Sequence, residues 1–246
     1  MNENNNEIKN DKRPAFQSWW QGGNRYSDNI SLTGVKLDID WSKKSIYADE
    51  IWNALQDGIK LRPLSINEIF NNNYPCNLEI GIGNGEFITN YAALDSNVNW
   101  IGLEVFKKIF KLAEKRANKI ESNNIKILQF DAALIVRLME DNSLDNVYVN
   151  FPDPWPKKKH KRRRLLKPDF MQLIVSKLKV GGLMQIATDH EDYAQEICEN
   201  IKEVKGIKSI YNTEYVREVD DYFPTKYYRK FVPDHGVYFF RYEKLW

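Results

Sequence analysis

Leu78-Glu79-Ile80-Gly81-Ile82-Gly83-Asn84-Gly85-Glu86-Phe87 is the stretch from which the rest of the chain is read. A short apolar run closes on three alternating glycines and passes directly into a segment with helical spacing. A strand that turns through glycines into a helix opens a parallel α/β sheet. Gly81, Gly83 and Gly85 let the backbone turn sharply and admit a ligand where a Cβ would block it. The spacing is GxGxG, whereas a loop built for a dinucleotide pyrophosphate prefers GxGxxG, its third glycine one residue later.

Downstream, short apolar runs alternate regularly with amphipathic stretches. Strands are predicted at Asn77–Ile80, Trp100–Glu104, Ile125–Phe130, Val147–Phe151 and Leu183–Thr188. Helices are predicted at Glu86–Ala93, Phe106–Ile120, Ala132–Met139, Pro168–Lys179 and Glu191–Lys202. In the second helix Phe106, Ile109, Phe110, Ala113, Ala117 and Ile120 share one face. Gly181-Gly182 is expected to stop the fourth helix. Such alternation predicts a doubly wound parallel sheet, closed by an antiparallel edge strand at Val237–Tyr242. Residues 76–246 form this domain. Residues 1–75 read as an N-terminal arm packed on it, with disorder expected over 1–13 and one short helix near Asp49–Gln56.

Acids stand where the strands end. Glu79 lies beside the loop, and Glu104, about 20 residues on, is placed to accept hydrogen bonds from ribose hydroxyls. Asp131 follows the third strand, placed to meet an adenine edge. Glycines at a turn and single acids capping helices are common, but three acids on one sheet edge make the crevice acidic. That suits a cationic sulfonium nucleoside, S-adenosylmethionine, better than two phosphates.

The fourth strand runs into Asn150-Phe151-Pro152-Asp153-Pro154-Trp155-Pro156 beside the first, at the switch point where such folds place their chemistry. Three prolines within five residues hold Asp153 on a rigid turn. A carboxylate there can accept from a ring N–H and an exocyclic amine, the paired donors of guanine. Trp155 has two uses open to it, stacking on a base or packing. Then follow eight cations in eleven residues, Lys157 to Lys167, with no acid among them, while the rest of the chain is net acidic. A run that leaves an active-site turn and feeds a helix belongs to the domain, and a small-molecule enzyme has no use for its field. A phosphate backbone does. The cations beyond Lys157 read as individually replaceable parts of that field. Asp189 is a second base contact or the N-cap of the helix at Glu191. The segment Pro224–Lys230 is a loop closing over substrate or an ordinary basic loop.

The composition narrows the compartment and the metals. The formal net charge of +2 decides little, and 42% hydrophobic residues suffice for a core. Cys76 and Cys198 lie far apart and read as reduced, buried thiols. The three histidines are scattered, so no metal site is expected. No apolar run approaches the roughly 18 residues of a membrane span. The polar start argues against a leader, and the cytoplasm is the expected compartment.

LEIGIGNGEF, GLEV, FPDPWPKKKHKRRRL, TDH and the late PTKYY together resemble the tRNA (guanine-N7-)-methyltransferases, in the same order and at compatible spacing over about residues 76 to 246. The FPDPW element with its basic tail is the most specific part. The resemblance implies a seven-stranded Rossmann-like, S-adenosylmethionine-dependent methyltransferase domain acting on a guanine of the tRNA variable loop. By it, Glu79, Glu104 and Asp131 match cofactor-contacting acids and Asp153 the residue held to be catalytic. Lys157, Asp189, Thr225 and Lys226 match substrate contacts. The family's late motif reads T-K-F-E, and here its fourth position, an expected substrate contact, is Tyr228, which removes an acid. Members of the family act as monomers, as homodimers or with a separate partner protein, and the sequence leaves that choice open.

Overall fold

Three consecutive strands, β2 (Cys76–Ile80), β3 (Asn99–Leu103) and β4 (Ile125–Leu128), are buried at every position. A strand covered on both faces reads as a largely apolar run, interrupted in these three by buried Asn77, Glu79, Asn99 and Lys126. The computed structural model describes residues 39–57, 63–232 and 236–246. The disorder expected over 1–13 lies outside them, as do Phe16 to Tyr26. The remaining strands are β1 (Ser45–Ile46), β5 (Leu144–Asn150), β6 (Leu178–Thr188), β7 (Ile207–Ser209) and β8 (Tyr238–Lys244). They form one sheet in the order β1-β4-β3-β2-β5-β6-β8-β7.

The helices between them are α1 (Ala48–Asp57), α2 (Ile66–Phe70), α3 (Glu86–Leu94), α4 (Lys107–Ala117), α5 (Ala132–Leu138), α6 (Pro168–Lys177), α7 (Glu191–Ile201) and α8 (Lys226–Phe231). From β2 the chain steps outward through α3 and α4, then returns over the sheet through α5 and steps the other way. With right-handed crossovers, that reversal puts α3 and α4 on one face and α5, α6 and α7 on the other. The doubly wound architecture is thus as expected. The reversal leaves a crevice between the C-terminal ends of β2 and β5.

Above β3 and β4 the core is built from Phe87, Ile88, Trp100, Phe110, Ile125 and Ile127. Phe110, Ala113 and Ala117 form the buried stripe of α4. Phe106, expected on that stripe, is the N-cap residue and 58% exposed.

Three local expectations are corrected. α6 ends at Lys177, and Gly181-Gly182 lie inside β6. Gly181 has φ +81°, and a Cβ on Gly182 would stand 2.7 Å from the Asp145 carbonyl. The register against β5 slips there, so the glycines build a bulge and do not cap a helix. The final strand is antiparallel to β6 as expected, but β7 covers its outer side, so it is not the edge. β7 has three residues, too few to show a period. At the other edge Ser45–Ile46 pairs parallel with β4, adding an eighth strand to the seven between 76 and 246. Both cysteines are free and buried.

Candidate active site at the switch point

β2 delivers the chain to the crevice, and the loop is pinned where it leaves. The N–H groups of Gly81 and Ile82 donate to the Leu103 carbonyl at 2.8 and 3.0 Å. Gly81 and Gly83 have positive φ and open space where a Cβ would stand. Gly85 is glycine for a second reason, since a Cβ there would lie 2.9 Å from the Ala113 Cβ of α4. Glu104, 8% exposed, accepts from Gly83 N–H at 3.1 Å and Phe106 N–H at 2.9 Å. Burial, with the charge of Asp153 adding to it, raises its carboxyl above the ordinary range.

Glu79 is only 2% exposed. Its Oε1 accepts from Asn150 Nδ2 at 3.2 Å, while Oε2 is buried with no partner. Burial pushes its carboxyl up to about 8. An orphaned buried acceptor of this kind is uncommon and marks a place for a donor or a cation. It lines a cleft of about 390 Å³, with the glycine loop on one side, Asn150 and Phe151 opposite, and Ile109, Leu112 and Phe231 as apolar walls. The volume and mixed lining fit a nucleoside-bearing cofactor. Asp131 sits at the same sheet edge but does not line the cleft; its Oδ1 accepts from Ala133 and Leu134 N–H and caps α5.

On the far side of the crevice, β5 ends in a strained turn. Phe151 has φ +49° and Trp155 φ +42°, conformations that bulky residues hold only when their surroundings impose them. Between them Asp153 is exposed. Phe151, two residues before it, lines the cleft, which puts Asp153 at the cleft's rim. Trp155 packs: the Arg163 guanidinium lies 4.9 Å above its ring, and His160 meets it edge-on.

The basic run divides, correcting its reading as a uniform field. Lys158–Arg163 forms a 3₁₀ helix in which Lys158, Lys159 and Arg162 are exposed, as is Lys157 before it. Lys161, Arg164 and Lys167 instead pair with Asp192 and Glu196 of α7. Arg164 is buried, and nothing in the sequence marks it off from its neighbours.

His190, not Asp189, is the N-cap residue of α7, its Nδ1 accepting from Tyr193 N–H. That frees Asp189, whose Oδ2 accepts from the Tyr227 hydroxyl at 3.1 Å. The late segment is a helix, α8, capped by Thr225. Glu86 anchors it, accepting from Lys226 N–H at 2.6 Å and pairing with Arg229 at 2.9 Å. Tyr228 packs into an aromatic cluster with Tyr222 and Phe151. Thus Glu79, the glycine loop, Thr225 and Lys226 line the cleft, with Glu104 behind the loop and Asp153 at the rim. Sequence reasoning missed Asn150, Glu86 and Tyr227. A polar residue directly after the apolar Val147-Tyr148-Val149 was the available signal, for Asn150.

Among the described residues no group of three or more His, Cys, Asp or Glu could hold a metal ion, and no helix is long and apolar enough to cross a membrane.

Residues 73–240 match a family described as putative methyltransferase. A tRNA (guanine-N(7)-)-methyltransferase of Buchnera aphidicola subsp. Baizongia pistaciae is 38% identical over 169 residues, 68% of this chain and 70% of that protein. The enzyme of that name from Pectobacterium atrosepticum is 32% identical over 200 residues, 80% of this chain and 84% of its own. Among solved structures, an rRNA methylase from Streptococcus thermophilus is similar in fold, with a TM-score of 0.50, 11% identity, and coverage of 71% of this chain and 89% of that one.

Proposed function

The chain belongs to the tRNA (guanine-N(7)-)-methyltransferase family, and from that premise we propose that it methylates N7 of a guanine in the variable loop of tRNA, in the cytoplasm. The observation that carries the reading is one crevice with two unlike walls. One is an acid-lined glycine cradle holding an unpartnered buried carboxylate oxygen. The other is the proline-locked Asp153 turn, which leads into exposed lysines.

S-adenosylmethionine supplies an electrophilic methyl on a sulfonium sulfur. Guanine N7 already has an in-plane lone pair, so no proton need leave before attack and no general base is required. Transfer of that methyl would break the carbon–sulfur bond as the N7–carbon bond forms and would leave the positive charge on the purine. The work left to the protein is in-line positioning and stabilisation of that charge. Asp153 does both by accepting from the guanine edge. Glu79, Glu104 and the loop at Gly81, Gly83 and Gly85 hold the cofactor, with Asp131 at the adenine end. Lys157, Asp189, Thr225 and Lys226 meet the tRNA. Tyr228, turned into the aromatic cluster, anchors α8 to Phe151 and Tyr222.

The test is methyl transfer from labelled cofactor to an unmodified tRNA transcript, beside a transcript whose variable-loop guanine is replaced by adenine. Label is expected in the first and absent from the second. Equal labelling of both would overturn the assignment.

Glu79 gives this reading a pH signature. In the free protein its carboxyl, pushed up to about 8 by burial, holds a proton at pH 7. A cationic ligand beside it favours the ionised form, so binding releases a proton. Cofactor affinity should therefore rise from pH 6 to pH 8, by at most about tenfold per unit, and level off above. Calorimetry in two buffers of different ionisation enthalpy measures that proton, and Glu79→Gln should abolish its release. Equal affinity at pH 6 and pH 8 would show that Glu79 does not face the cationic part of the ligand.

A further inference from the structure

Arg164 lies within the basic run, yet its guanidinium is sealed inside the protein with 0% of the side chain exposed. All three nitrogens of its planar fork have partners. Nη2 donates to Asp192 Oδ2 and Nη1 to Glu196 Oε2, each at 2.5 Å. The plane rests 4.7 Å above the ring of buried Tyr193. The remaining donor, Nε, points away from α7 and donates at 2.7 Å to the Pro154 carbonyl, the residue after Asp153.

That last bond falls on a turn held by ring contacts at Phe151 and Trp155 but short of backbone donors. Pro152, Pro154 and Pro156 have no N–H, so the segment can make few backbone hydrogen bonds of its own. Its two ends, Phe151 and Trp155, sit in left-handed conformations that relax unless over-determined. Phe151 N–H is tied to the Ala187 carbonyl at 2.8 Å, which fixes the entrance. The bond from Arg164 fixes the peptide between Pro154 and Trp155, one residue beyond Asp153.

We propose that Arg164 is a positioning residue: it fastens the Asp153 turn to Asp192 and Glu196 of α7 and sets where the Asp153 carboxylate stands, without touching RNA. The proposal rests on the reading that Asp153 grips the target base. It separates Arg164 from Lys157 to Lys159, which share its charge but face solvent.

Arg164→Lys keeps the charge and loses the fork, because an ammonium cannot span three acceptors in a plane. At saturating tRNA its kcat is expected to fall on the order of 10- to 100-fold, the range a misplacement near 1 Å can produce. Cofactor Kd should stay within about twofold, and the salt slope of tRNA binding should be unchanged, since no phosphate contact is lost. Wild-type kcat in an Arg164→Lys variant that binds cofactor normally would overturn the proposal. So would a reduced salt slope with kcat intact, which would make Arg164 an RNA contact. Glu196→Gln provides a second route if Arg164→Lys does not fold. It loosens the fork while leaving the guanidinium in place, and should lower kcat several-fold with cofactor Kd unchanged; unaltered kcat there would overturn the proposal. Wild-type protein assayed alongside keeps the two ideas apart. Failure of the unaltered chain to methylate tRNA counts against the tRNA reading, whereas loss confined to the variants concerns Arg164.

Discussion

Asp153→Asn is expected to lower turnover about 100-fold or more while leaving S-adenosylmethionine affinity within about twofold of the wild-type value. Removing one preorganised group that faces developing charge costs on the order of 10² to 10³ in rate. The substitution keeps the size of the side chain and so spares the strained turn at Phe151 and Trp155. It removes the negative charge opposite a purine that becomes cationic, and sets an amide donor against the donors of guanine. Asp153 stands exposed at the rim while Glu79 and the glycine loop line the cleft, which is why binding and turnover should separate. Single-turnover methyl transfer and a direct cofactor titration measure the two halves. A near-normal rate in the variant would remove Asp153 from the chemistry.

Replacing Lys157, Lys158 and Lys159 with glutamine is expected to weaken tRNA binding on the order of 100-fold at low salt. Each phosphate contact releases counterion and contributes about 0.7 to the slope of log K against log salt, so the slope should fall by about 2. All three side chains are exposed, and kcat at saturating tRNA should change little. The same substitution at Lys161 or Lys167 should act differently. These two are paired with Asp192 and Glu196, so their loss should lower thermal stability more than the salt slope. Filter binding across a salt series separates the cases, and an unchanged slope in the triple variant would show those lysines to be merely solvated.

Much of the fold was legible because its signals are local. β2, β3 and β4 are short, mostly apolar runs, and the stripe of α4 follows the helical period. The reading failed where an element is too short to show a period, as in β7 and β1. It also failed where one residue type serves two geometries, as with Gly181-Gly182, which bulge a strand where a helix stop was expected. The site followed the same pattern. Glu79 and the three glycines are recognisable by spacing. The orphaned Oε2 of Glu79 is not, because burial is a property of what the rest of the chain brings to it. Asp189 remained ambiguous between cap and contact until His190 was seen to take the cap.

The basic stretch from Asp153 to Lys167 shows most clearly where the two kinds of information part. The sequence by itself determined that a rigid, proline-bounded carboxylate leads into a concentrated positive charge, because proline and charge act through covalent geometry and composition. It also determined the parallel sheet that carries them, through the alternation of strand and helix. Only the tertiary structure decided which cations remain available to a phosphate. Asp192 and Glu196 are about 30 residues away in sequence, and it is the packing of α7 against the turn that turns Arg164 inward and leaves Lys157 in solvent. A charge in a run is fixed by residue type, but its partner is chosen by the fold.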